Sequence, residues 1–340
     1  MRTTPPPTAP KERALPNNFG GLEPEFSDPE RSAVLIWPVP YEKTESYMGG
    51  AGAGPAAIIE ASRHMETFDE EIGGETAVTI GIHTLPEMSV EFSPEVMFRR
   101  VEVEAADLIE GGQFLCTLGG EHSITAPIVK AHKKVFPNLS VLQIDAHTDL
   151  KKEYDGSEYG HASVMRHVLE ICPAVQVGIR SLSTDEARAI PKLPTTVFYA
   201  RDIVGQSREW VEEAISLLTD DVYLTIDVDG FDPSVIPDTG NPEPGGLLWD
   251  DVLALVETLA LNRHVVGMDV VELNGEERGA SSSIVAKLVY RCLGFIFRDM
   301  VPPVDLEAPD EGEGILDHKS ALALRDETER RAKAMGASRA

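Results

Sequence analysis

Short apolar runs alternate with helical patterns, most of ten or more residues, along the greater part of this 340-residue chain. Runs of strand length lie at residues 32–38 (SAVLIWP), 76–82, 113–118 (QFLCTL), 139–144 (LSVLQI), 174–179, 196–200, 221–227 (DVYLTID) and 264–271 (HVVGMDVV). Helical patterns lie between them, at residues 94–109, 162–171, 208–218 and 249–262, and the last follows at 281–297. Strands joined through helices of this length pair in parallel, because a crossover must return the chain to the same end of the sheet. The expected fold is therefore α/β: a three-layer α/β/α domain around a mostly parallel central sheet. No internal repeat or interior linker divides it, so residues 31–301 read as one catalytic domain.

The flanks differ in composition. Residues 1–30 are rich in proline and charge and read as a flexible N-terminal arm that packs over a neighbour. Residues 302–340 read as an acidic tail with a polar helix candidate at 320–333. Lys and Arg number 30 against 57 Asp and Glu, a net charge of -27, which argues against nucleic acid and anionic membranes as partners. The apolar helix at 281–297 carries Lys287 and Arg291 and reads as a core helix. Cys116, Cys172 and Cys292 fit no zinc spacing and read as buried thiols of a reducing compartment. The first residues hold no apolar signal segment, so a cytoplasmic location is expected.

The chemistry collects where strands end. In open α/β sheets, ligands bind outside the carboxyl ends of the strands. The run at 139–144 leads into Asp145, His147 and Asp149, and side chains two apart in an extended chain point the same way. QFLCTL is followed by Glu121 and His122, DVYLTI by Asp227 and Asp229, and MDVV by Glu272. Asp145, Asp149, Asp227 and Asp229 with His122 and His147 make a six-group set that can converge. Four carboxylates crowded together repel one another and take up protons unless cations neutralise them. Six groups exceed the needs of one ion, and two ions about 3.5–4 Å apart would use them all. Oxygen-rich ligation with two imidazoles suits Mn2+, while Ni2+, Co2+ or Zn2+ could occupy the same set. His132, His167 and His264 lie away from strand ends and read as structural.

Together these residues resemble the ureohydrolase family of arginases and agmatinases. GGEHS (119–123), DAHTD (145–149), DVDGFDPS (227–234) and TGNPEPGG (239–246) match its four signatures in order, and DVVEL (269–273) matches the segment beyond them. The resemblance covers roughly residues 30 to 300. It implies an arginase-like fold with two Mn2+ per chain and assembly as a homotrimer or homohexamer. It implies that His122, Asp145, Asp149 and Asp227 hold one ion, and Asp145, His147, Asp227 and Asp229 the other. It also implies that His161, in YGHASVM, shuttles a proton and that Glu272 anchors the guanidinium; on chemical grounds His161 is expected near its ordinary pKa and Asp149 is expected to accept a hydrogen bond from the attacking water.

The expected reaction is hydrolysis of a small cationic guanidino substrate to urea and an amine. Agmatine, giving putrescine, is the first candidate, because the segment LKKEYDGSEYG after DAHTD is more similar to agmatinases than to arginases. Asp238 and Asn241 depart from the family's usual P-G/A-T-G-T-P form and lie where substrate contacts are expected. They leave room for guanidinobutyrate, free guanidine or arginine. A single-zinc deacetylase of similar fold would use Asp145, His147 and Asp227 but leave His122, Asp149 and Asp229 without a purpose. A catalytically silent regulatory relative would need no filled ligand set.

Overall fold

The computed structural model describes residues 15–44, 48–275 and 279–304. Its centre is an eight-stranded sheet of β1 (Val34–Val39), β4 (Ile82–Thr84), β5 (Phe114–Gly119), β6 (Leu139–Ile144), β7 (Ala174–Ile179), β8 (Thr195–Tyr199), β9 (Asp221–Asp227) and β10 (His264–Val271). The strand order is β4-β1-β5-β10-β9-β6-β7-β8. Every pairing in this sheet is parallel. A two-stranded antiparallel ribbon, β2 (Phe68–Asp69) with β3 (Gly74–Glu75), lies apart from it.

Helices cover both faces, which is why the central strands are largely apolar on both sides rather than alternating with polar residues. On one face Val34, Ile36, Leu118, Leu142 and Ile144 pack with α1 (Gly54–Ser62), α8 (Glu209–Ser216), α9 (Trp249–Asn262) and α10 (Ala280–Ile296). On the other Leu35, Trp37, Leu115, Leu139 and Val141 pack with α3 (Pro94–Glu110), α4 (Thr125–Val135) and α5 (Val164–Ile171). Successive residues of β1 thus feed opposite cores, as the two-residue period of a strand requires. The three-layer α/β/α expectation holds.

Two local expectations give way. Residues 76–82 do not form a strand: α2 (Thr76–Ile80) is a short helix whose buried Ala77 and Ile80 stand three apart, at helical spacing. Gly81, at φ 69° and where a β-carbon would stand 3.1 Å from Ser32 Cα, ends that helix and turns the chain into β4. The stretch read as a flexible arm contributes to the core where it is described. Phe19 is fully buried, and Leu22 packs with it among the residues beneath β1. The remaining helices, α6 (Thr184–Ala189) and α7 (Ala200–Ile203), are short connectors. The expected tail helix at 320–333 lies outside the described residues. The three cysteines are buried free thiols, and among the described residues no helix is long and apolar enough to cross a membrane.

The sheet order has a direct consequence for the site. β5, β10, β9 and β6 are consecutive neighbours at its centre. Those are the strands whose ends carry His122, Glu272, Asp227 and Asp145.

Candidate metal centre

The four central strand ends bring the predicted ligands together. His122 opens a single helical turn just after β5 and is completely buried. Its Nδ1 lies 3.2 Å from Asp145 Oδ2, 3.2 Å from Asp149 Oδ2 and 3.4 Å from Asp227 Oδ2. His147 Nδ1 lies 2.9 Å from Asp229 Oδ2 and 3.6 Å from Asp145 Oδ1. Two groups of metal-competent atoms result, His122–Asp145–Asp227 and Asp145–His147–Asp229, each with ligand atoms within 4.8 Å of one another. Asp145 belongs to both, as a bridging carboxylate would, whereas Asp227 belongs to one.

The backbone is bent to make this set. Asp149 and Glu272 adopt left-handed conformations, at φ 50° and φ 65°. Such conformations cost on the order of 1–3 kcal/mol each and persist only where the surroundings over-determine them. Met165 and Arg166 donate backbone N–H groups to the Asp149 carbonyl, and Glu272 N–H donates to the Gly120 carbonyl. Short-range bonds hold the carboxylates as well. Asp227 accepts from Asp229 N–H at 2.9 Å, Asp229 from Ala146 N–H at 3.0 Å, and Asp145 from Gln143 Nε2 at 2.6 Å. Gly230 sits so close that a β-carbon there would meet Asp145 N at 2.8 Å. Arg180 braces the loop after β9 from behind, donating to the carbonyls of Asp229, Gly230 and Phe231.

The electrostatics are those of a site built for cations. Burial, followed by repulsion from Asp229 and Asp145, pushes the Asp227 carboxyl far above its usual range. Burial and Asp145 raise Asp149 to about 6, and burial with Asp145 also raises Asp229. Asp145 is depressed despite its burial, because His122 and His147 flank it. Burial opposes the charged form of both imidazoles, but the carboxylates prevail, and His147 rises to about 12.

The fit to a metal can be tested on His122. Its Nε2 lies 2.9 Å from Thr225 Oγ1, and Thr225 gives its only proton to the buried Asp269 at 2.6 Å. Thr225 must therefore accept from His122 Nε2–H, which leaves Nδ1 as the lone-pair nitrogen of the neutral ring. That nitrogen is buried, makes no hydrogen bond, and faces three carboxylates. The donor set suits a divalent cation.

Above this set lies a cavity of about 190 Å³ lined by His147, Asp149, His161, Asp227, Asp229, Asn241 and Glu272, with Met48 and Lys151. Glu272 Oε1 accepts from His122 N–H at 2.7 Å, and its Oε2 lies beside Gly240. Burial raises the Glu272 carboxyl well above its usual range, with Glu121 adding to the rise. Burial pushes His161 down to about 4, reinforced by the positive charges of His122 and Lys151, so its expected ordinary pKa does not hold. Asn241 Nδ2 lies 2.9 Å from His147 Nε2. Asp238 is absent from the cavity wall. Its Oδ2 accepts from Ser281 Oγ at 2.6 Å, at the start of α10. His132, His167 and His264 bond to Ile128 O, Glu158 O and Asp221 respectively, away from this cavity. A larger open depression of about 1150 Å³ lies at the opposite ends of the strands, beside Ala33, Asp220 and His264, far from every predicted ligand.

Several supporting groups escape a reading of the sequence alone: Thr225 and Asp269 behind His122, Arg180 behind the β9 loop, and Thr44 beside His161. Gln143 and Gln176, polar residues within otherwise apolar strands, were the legible hint of a buried polar network.

The comparisons with known proteins agree. The sequence profile of the arginase family matches residues 32–294. The N(1)-aminopropylagmatine ureohydrolase of Synechocystis sp. is 37% identical over 296 residues, covering 82% of this chain and 96% of that protein. The protein of the same name from Thermus thermophilus is 38% identical over 267 residues, covering 78% and 90%. The crystal structure of agmatine ureohydrolase from Thermoplasma volcanium superposes with a TM-score of 0.75 at 27% identity, covering 83% of this chain and 94% of that one. The chain belongs to the arginase family and is a ureohydrolase.

Proposed function

We propose that this protein is a binuclear manganese enzyme that hydrolyses agmatine, or its N(1)-aminopropyl derivative, to urea and the corresponding amine. One observation carries the reading: the lone-pair nitrogen of His122 is buried without a hydrogen bond and faces three carboxylates. His122, Asp145, Asp149 and Asp227 would hold one ion, and Asp145, His147, Asp227 and Asp229 the other. Two divalent cations held there would supply the positive charge that the carboxylates need and would lower the pKa of a bound water.

The chain's own residues do the rest. Glu272 receives the planar guanidinium by charge-assisted hydrogen bonds, its carboxylate oriented by the His122 N–H. Orientation matters because a guanidinium carbon is a poor electrophile, and a near-attack geometry lowers its barrier. Asp149, on the cavity wall, accepts a hydrogen bond from the attacking water. His161, on the same wall, passes a proton to the departing amine. The names of the relatives in Synechocystis and Thermus support the aminopropyl derivative, and the Thermoplasma neighbour supports agmatine. Asn241 favours a second reading, a substrate such as guanidinobutyrate or free guanidine, because its amide lines the cavity beside His147.

Residues 31–301, with the packed stretch around Phe19, form the catalytic unit in this reading, in a cytoplasmic homotrimer or homohexamer. Metal analysis with urea release across agmatine, N(1)-aminopropylagmatine, guanidinobutyrate, guanidine and arginine tests it. Two ions per chain and agmatine-type turnover are expected. One ion per chain with no urea from any of the five would overturn it.

A further inference from the structure

We infer that Thr44 and Glu121 lock the His161 ring with its proton on Nδ1, so that Nε2 is the nitrogen that exchanges protons with the substrate. This deepens the reading of His161 as the proton donor and rests on it.

The assignment follows from counting protons. Thr44 Oγ1 has three neighbours: Glu121 Oε1 at 2.9 Å, His161 N at 3.1 Å and His161 Nδ1 at 3.1 Å. A threonine hydroxyl has one proton to give and two lone pairs. The backbone N–H of His161 can only donate, so it takes one lone pair. The remaining proton and lone pair must serve Glu121 and Nδ1.

Glu121 decides between them. It is completely buried, and four donors converge on it: Lys43 N at 2.7 Å and Thr44 N at 2.6 Å to Oε2, and the hydroxyls of Ser123 at 2.5 Å and Thr44 to Oε1. Each of its oxygens receives two donors, so it serves Thr44 as an acceptor. Thr44 therefore gives its proton to Glu121 and accepts Nδ1–H from His161.

The surrounding chain is shaped for this contact. A β-carbon at Gly160 would stand 2.9 Å from Thr44 Oγ1, so glycine there lets the loop of residues 41–44 approach His161. A β-carbon at Gly120 would fall 2.1 Å from the Tyr41 carbonyl, which receives Glu121 N–H. Both glycines admit the loop that carries Thr44.

The consequence is a ring that needs no rearrangement between turnovers. The resting ring is neutral with its proton on Nδ1; Nε2 takes up the proton that the attacking water gives up, and the ring then carries one on each nitrogen. As the C–N bond of the substrate breaks, its electron pair stays on the amine nitrogen, which takes the Nε2 proton. The neutral ring left behind already has its proton on Nδ1, against Thr44. Thr44 and Glu121 are positioning residues in this scheme.

The test compares metal-loaded wild type with Thr44→Val, Thr44→Ser and His161→Asn. In 15N-histidine spectra of the zinc-loaded protein above the His161 pKa, the His161 signal, identified by its loss in H161N, should show the proton on Nδ1. In T44V that preference should be lost. T44V should lower kcat about 10- to 100-fold, a fraction of what general acid catalysis supplies, with KM and metal content near wild type. T44S should restore most of the rate, since only the hydroxyl is invoked. A wild-type ring protonated on Nε2, or a T44V enzyme with wild-type kcat, would overturn the inference. Wild-type kcat in H161N would instead overturn the donor role proposed for His161, and the spectra would still decide the tautomer.

Discussion

Thr225→Val tests how His122 is held. The side chains have nearly the same shape, and Thr225 is completely buried in the middle of β9, so little besides one hydroxyl changes. Two bonds disappear: the acceptor for His122 Nε2–H at 2.9 Å and a donor to Asp269 at 2.6 Å. Asp269 keeps Tyr223 Oη at 2.8 Å and Thr125 Oγ1 at 2.9 Å. His122 keeps nothing on that side, and a buried N–H left unpaired costs about 1–3 kcal/mol. Loss of a partner that orients a metal-binding histidine typically weakens the metal about 10- to 100-fold, or about 1.4–2.8 kcal/mol. The prediction is that one ion of two leaves at a chelator concentration the wild type withstands, while the His147 ion stays. Chelator competition with elemental analysis would read the occupancy of each protein, and a melting curve would report the folding cost. If both ions are retained with affinities within about twofold of wild type, the orienting role assigned to Thr225 and Asp269 is wrong.

Four further outcomes follow from the same geometry. Asn241→Ala should weaken metal retention about tenfold, because the amide, turned with its oxygen accepting His147 Nε2–H, supports that ring as well as lining the cavity, and chelator competition would show it. Asp238→Asn should leave the order of preference across guanidine compounds unchanged and lower stability by about 1 kcal/mol, since its carboxylate serves Ser281; kinetics and denaturant melts read the two parts. Loading metal near pH 7 should release protons, because His147, raised to about 12, must give one up before it can bind an ion; calorimetry in buffers of different ionisation heat measures this. Burial lowers His132 to about 4 in the folded protein, so between pH 6.5 and pH 4 the unfolded chain binds the extra proton. Stability should fall by about 3 kcal/mol across that window and no further below it on this account, and His132→Gln should remove that part of the slope in urea melts.

The sequence was most legible where covalent order and geometry coincide. Asp145, His147 and Asp149 share a strand end, so their two-residue spacing carries the message directly. Each of the four central strands delivers its ligands at its own carboxyl end, and parallel pairing brings those ends together. What stayed hidden depends on contacts across long separations. Thr44 reaches His161 over 117 residues, and Thr225 reaches His122 over 103, through loops and pairings that no local pattern encodes. Nor does the sequence show that Gly240 and Asn241 line the cavity while the side chain of Asp238 bonds to Ser281. The helix at Thr76–Ile80 misled because five residues satisfy helical and strand spacing almost equally, and only the turn at Gly81 decides between them.

One device recurs on both sides of the cavity and separates the roles of two histidines. In each, a buried carboxylate takes the proton of a threonine, and the threonine then accepts an N–H from an imidazole. Asp269 and Thr225 hold Nε2 of His122 and aim Nδ1 into the carboxylate cluster, where a lone pair can bind a cation. Glu121 and Thr44 hold Nδ1 of His161 and leave Nε2 to trade protons. The residues that hold each ring differ only in which nitrogen they grip, so the gripped nitrogen fixes the chemistry of the other. Exchanging the grip should therefore change function more than removing a ring's neighbours at random. A hydroxyl-to-methyl change at Thr225 should be read in metal occupancy, and the same change at Thr44 in kcat at full occupancy. If both variants lost metal in parallel, the two histidines would not be doing separate work.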